Sequence, residues 1–131
     1  MKPMDLDQFL GRTLSGAGLE IDEVLDDLIY ADRGAWAIFY RGPDCKLQLY
    51  WSARNGGLNF MLAPLDAPNE FGLSNQSRTW QSILRLSDAH DQLKTPGMSA
   101  DDNEIMAWLK DIFEIHFGPA RAALLAEERP R

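Results

Sequence analysis

Few side chains in this sequence have the type and spacing that chemistry requires. The chain holds two histidines, His90 and His116, and one cysteine, Cys45, among 131 residues. No His-x-x-x-His pair and no second cysteine is present, so there is no zinc-ligand pattern and no intrachain disulfide. Asp101, Asp102 and Glu104 cluster where a helix begins, and carboxylates there stabilise the helix dipole without a metal. No metal and no cofactor is expected. Cys45 follows a turn, beside Asp44 and Lys46, and is expected to be a partly exposed and passive thiol.

Two motifs approach a catalytic pattern and fall short. Gly72-Leu-Ser74-Asn-Gln76 resembles the strained turn that presents a nucleophilic serine, with His90 and Asp91 downstream as conceivable partners. Gln76 stands where that turn needs a closing glycine, so Ser74 reads more simply as a loop residue. Gly11-Arg-Thr-Leu-Ser-Gly16-Ala-Gly18 has the outline of a phosphate loop. It lacks the lysine that reaches phosphate and the hydroxyl that holds magnesium, and it follows a helical pattern instead of a strand. With no convincing catalytic set, the chain is read as non-catalytic.

What remains is charge. Twenty acids and 13 bases give a net charge of −7. Residues 1–32 carry a balance of −6, residues 33–99 one of +2, and residues 100–131 one of −3. Such an asymmetry steers a cationic partner and disfavours sequence-independent contact with phosphates. Glu20, Glu23, Asp26 and Asp27 lie off an apolar stripe and are candidate partner-binding residues. On a helix Glu23 and Asp27 share a face and repel by roughly a few tenths of a kcal/mol, which points to a partner that offsets the repulsion. Trp36, Tyr40, Tyr50 and Trp51 gather near Arg33, Arg41, Lys46 and Arg54. Single-stranded nucleic acid uses such a mixture. The simpler reading makes the rings core, or the centre of a protein interface with Trp36 and Tyr40 as contacts.

The elements that position these residues follow from periodicity. In 5–14, Leu6, Phe9, Leu10 and Leu14 fall at helical spacing, and Ser15-Gly16-Ala17-Gly18 stops the helix. In 20–32, Ile21, Val24, Leu25, Leu28 and Ile29 form the stripe of a second, acidic helix, although 20–24 also suits a short strand. From Ala35 the period becomes two, in 35–41, 46–54 and 58–63, with turns at Gly42-Pro43-Asp44 and Asn55-Gly56-Gly57. Residues 79–86 read equally as helix or as a further strand. Ser99-Ala-Asp-Asp102 resembles a capping box that opens a helix with Ile105, Leu109, Ile112, Phe113 and His116 on its stripe. Gly118-Pro119 is expected to break it, leaving a final helix over 120–128.

The chain is therefore read as one α+β domain over 1–131. It has a three- or four-stranded antiparallel β-meander packed with N-terminal and C-terminal α-helices. Trp51, Leu49, Phe60, Ile38, Leu109 and Phe113 are the expected core. No apolar run approaches the roughly 18 residues of a membrane span, and the start Met-Lys-Pro-Met-Asp lacks an apolar signal core, so a cytoplasmic protein is expected. The expected function is that of an acidic, bacterial protein-binding domain. Its most concrete form is an immunity or antitoxin-type inhibitor whose acidic helices cover a basic toxin. The alternatives are an acidic, dimeric secretion chaperone that holds an extended effector segment, and an enzyme or small-molecule-binding domain with a pocket between sheet and helices. The expected partner is a basic protein, toxin or effector. A homodimer is compatible with the sequence, while membrane and nucleic acid are not expected partners.

Overall fold

A computed structural model describes residues 2–53, 57–97 and 99–128 of the chain. Helix α1, Pro3–Gly16, starts on a proline whose fixed φ suits the first helical position. Leu6, Leu10 and Leu14 recur every four residues and are fully buried. Phe9, expected on the same stripe, sits about 100° round from Leu10 and is 43% exposed.

The segment expected to form a second helix is instead strand β1, Glu20–Tyr30, antiparallel to β2, Arg33–Arg41. The physical reason lies in the register. Eleven residues of β1 oppose nine of β2, and the surplus enters as two one-residue bulges, between Ile21 and Glu23 and between Leu25 and Leu28. Each bulge stretches the same-face spacing from two residues to three. Ile21 and Val24 thus share one face, Leu25 and Leu28 the other, and the spacing imitates a helix. The β1–β2 turn places Ala31 and Asp32 at φ 51° and 66°, a left-handed pair in a two-residue hairpin loop that costs an alanine about 1 kcal/mol.

The meander follows as expected, with β3 at Lys46–Ser52 and β4 at Gly57–Ala63. Asn55 and Gly56 of the expected turn between them lie outside the described residues. Residues 79–86 divide between both readings: β5, Gln81–Ser82, pairs with β4, and a single helical turn, α2, follows at Ile83–Leu86. The sheet therefore has five strands, in the order β1-β2-β3-β4-β5, and not three or four. Helix α3 runs unbroken over Asp102–Glu128 with Pro119 inside it. Its cap is Asp101 instead of Ser99, since the Glu104 amide donates to Asp101 Oδ1 at 2.8 Å. Proline removes one helical hydrogen bond, and the buried Ala120 and Leu124 hold the last turns on the core regardless.

Two clusters flank the sheet. On one face Trp36, Ile38, Tyr40, Leu47, Leu49, Leu58, Phe60 and Leu62 meet the three helices, with Leu109, Ile112 and Phe113 from α3. The expected core is found there, Trp51 only partly buried. The other face, which carries Lys46, Gln48 and Tyr50, is buried too. Residues 64–80 fold across it, and Phe71 and Trp80 pack on Ala35, Ala37, Phe39 and Tyr50. Gly72 is needed here, because a Cβ would lie 2.4 Å from Met61 Sδ and 2.9 Å from the Tyr50 ring. Cys45 is 1% exposed, not partly exposed, since it belongs to the helix-side cluster.

Truncating Phe113, which packs on the Phe60 and Phe117 rings, is expected to cost about 3–5 kcal/mol, read as a lowered urea midpoint for Phe113→Ala. The Cys45 thiol is expected to resist a thiol reagent in buffer and react at once in denaturing urea; equal rates in both would contradict its burial.

Candidate functional site

The carboxylates singled out from sequence are brought together, though on a sheet edge instead of a helix. Glu20, Asp22, Glu23, Asp26 and Asp27 are all exposed on β1, the outermost strand. They divide by what holds them. Asn69 Nδ2 donates to Asp22 Oδ2 at 3.0 Å and to Glu23 Oε1 at 2.9 Å. Lys46 Nζ lies 3.6 Å from Asp22 Oδ2. The Asn69 amide, and then the Lys46 and Arg41 charges, hold the Asp22 carboxyl below the usual carboxylate range. Asp22 and Glu23 therefore brace the 64–80 segment. No side-chain hydrogen bond or ion pair among the described residues engages Glu20, Asp26 or Asp27. The shared helical face expected for Glu23 and Asp27 does not exist, because the second bulge falls between them.

Lys46 is the anchor of that brace. It is 3% exposed, donates to the Ala67 carbonyl at 3.1 Å and to Asn69 Oδ1, and lies 5.9 Å from the centre of the Trp80 ring. Gln48, two residues on, donates to the Glu70 carbonyl at 2.9 Å and accepts from the Gly72 amide at 2.8 Å. Trp36 and Tyr40 are 4% and 2% exposed and belong to the helix-side core. Trp36 stacks on Trp51 at 6.5 Å, and the Tyr40 hydroxyl donates to Asp7 Oδ1 at 2.8 Å, tying α1 to the sheet. Trp36, Tyr40 and Lys46 are thus inside and not on a surface where bases could stack.

A second constellation was not foreseen. His116 on α3 is 3% exposed, with Nδ1 2.8 Å from Ser87 Oγ and Nε2 2.5 Å from Asp91 Oδ2. The order is Ser-His-Asp, assembled from Ser87 instead of Ser74 and from His116 instead of His90. Its geometry is that of a clasp. Ser87 Oγ also accepts the Ala89 amide at 3.1 Å, and Asp91 Oδ1 accepts the Leu93 amide at 2.9 Å, so each end fixes the 87–93 backbone against α3. The lone signal for it in the sequence was His116 on an apolar stripe, which demands buried partners. The hydrogen bond from His116 holds the Asp91 carboxyl below its usual range. Arg121 on α3 pairs likewise with Asp44 of the β2–β3 turn, its Nε 2.8 Å from Asp44 Oδ1.

Between sheet and helices lies a cavity of about 10 Å³, bordered by Leu58, Phe60, Ile83, Trp108, Leu109 and Ile112, which has room for a single water at most. Among the described residues no group of three or more His, Cys, Asp or Glu is placed to hold a metal ion, and no helix is long and apolar enough to cross a membrane. Compared with protein-family models, with curated proteins and with solved structures, the chain has no match.

Because the folded Asp91 titrates below its unfolded counterpart, the clasp stabilises the fold fully above the ordinary carboxylate range. That contribution falls away as pH drops through the depressed folded value. Asp91→Asn is expected to lower the urea midpoint clearly at neutral pH and by progressively less as pH falls below the ordinary carboxylate range; a deficit that stays constant with pH would show that the charge plays no part.

Proposed function

We propose that this chain is a non-catalytic protein-binding domain of the bacterial cytoplasm that inhibits a basic toxin, in the manner of an immunity protein or antitoxin. The observation that carries the reading is the edge strand β1, which exposes Glu20, Asp26 and Asp27 with no side-chain partner among the described residues. Carboxylates held by a sheet do not have to be ordered at the moment of binding, which lowers the entropic cost of association. Their combined field attracts Lys and Arg over a distance set by ionic strength. Asp22 and Glu23 support the surface from behind, since Asn69 and Lys46 occupy them. Between sheet and helices the cavity of about 10 Å³ takes no metabolite, and the open concavity of about 580 Å³ bordered by Glu20, Ile21, Asp22 and Arg41 lies on the acidic edge strand itself.

The test is co-expression with the product of the neighbouring gene, followed by stopped-flow association with the purified pair. Binding is expected to slow steeply as salt rises. Asp26→Lys together with Asp27→Lys is expected to cut the association rate about tenfold to a hundredfold, to flatten the salt dependence and to abolish growth protection. Circular dichroism should be unchanged, because exposed substitutions away from caps and core shift stability by about 0.5 kcal/mol or less. Full protection by a folded double variant overturns the reading.

A further inference from the structure

Ile29 stands out on the same strand. It is 73% exposed, well beyond the other large apolar side chains that reach the surface among the described residues, of which Met4 at 49% is next. Its neighbours are fastened on the opposite face, where Leu28 and Tyr30 pack on the second cluster and the Tyr30 ring meets Phe71 at 5.6 Å. Alternation therefore sends Ile29 to the helix side of the sheet. There its cross-strand partner is Gly34, an exposed glycine. Among the described residues a Cβ added at Gly34 would meet nothing within 4 Å, so they leave the space beside Ile29 open. The Ala53 amide donates to the Gly34 carbonyl at 3.0 Å, which continues the row to a third, small side chain. Inward of this row lie Trp36 and the partly buried Trp51. The result is an apolar notch at the hairpin end of the sheet, with Asp26, Asp27 and Asp32 within three residues of Ile29 in the chain.

We propose that this notch, walled by Ile29 and floored by Gly34, receives one apolar side chain that projects from the basic surface of the partner. The inference rests on the function proposed above and adds the anchor that the charges surround. An apolar contact enclosed by a charged rim is the arrangement in which binding energy concentrates, since the rim excludes water from the centre. The occupant is a cationic partner and not a second copy of this chain, because a two-fold pairing would set Asp26 and Asp27 against their own images. The charges govern how fast the partner arrives, and the notch governs how long it stays.

Two probes separate the contributions: an octapeptide of seven lysines with a central leucine, and its twin with serine in that place. Titrations at low salt, read on the backbone amide signals of isotope-labelled protein so that every variant reports alike, are expected to show both peptides binding and the leucine peptide about tenfold tighter. Gly34→Val suits a strand backbone and fills the notch; it is expected to bring the leucine peptide back to the affinity of its twin. Ile29→Ser removes the wall and should do the same, which guards against a poorly folded valine variant. Asp26→Lys with Asp27→Lys should weaken both peptides alike. Equal affinities in the unaltered protein, or a leucine advantage that survives both notch variants, overturn the notch and leave the acidic surface standing. Failure of both peptides to bind overturns the acidic surface and the notch with it. A dimer in sedimentation that Gly34→Val dissociates would place a second copy there and also overturn the proposal.

Discussion

An ammonium group taken out of water must be met by polar partners, and Lys46, 3% exposed on a central strand, draws two other parts of the chain to its own. The Ala67 carbonyl and the Asn69 side chain come from the crossing segment, and Asp22 comes from the edge strand. A buried charge left without partners is strongly destabilising, so the three parts are held in mutual register. Gln48 repeats the arrangement one step along, with the Glu70 carbonyl and the Gly72 amide. Residues 67–72 are thus strung along the side chains of β3, and Phe71 and Trp80 are carried over the second face of the sheet as a consequence. The same bonds draw Asp22 and Glu23 inward through Asn69, leaving Asp26 and Asp27 outside.

The meander was legible because nothing interrupts its alternation: from Trp36 to Tyr40, Leu47 to Trp51 and Leu58 to Leu62, each strand keeps a strict period of two. The first strand was not, because its two bulges convert that period into a spacing that a helix also produces. Neither Asp22 nor Asp26-Asp27 carries a mark that distinguishes a bulge from a helix surface. The fate of Pro119 was equally hidden, since whether a proline ends a helix depends on what the next turns pack against, and Ala120 and Leu124 reach the shared core. The second covered face rests on contacts between residues more than twenty positions apart, such as Lys46 with Asn69, and local pattern does not encode these.

The acidic surface survived the change of element. A carboxylate flanking an apolar stripe is exposed whether the stripe belongs to a helix or to a strand, so Glu20, Asp26 and Asp27 could be found without knowing which. Trp36 and Tyr40 illustrate the converse: ring type and clustering do not say which side of a ring is covered, and both are core. The clasp of Ser87, His116 and Asp91 joins residues up to 29 positions apart. Only the buried histidine gave notice of it, through its need for partners.

The edge strand has one more consequence, for behaviour in a crowded solution. A flat, unprotected edge invites copies of itself to add, each new strand offering the next addition the same template, and that is how sheets grow into fibrils. On β1 the two bulges divide the pairing into runs over residues 20–21, 23–25 and 28–30, each too short for a stable ladder. Any approaching copy also brings its own aspartates into the gap. The irregularity that disguises this strand in the sequence is therefore also what keeps the sheet finite.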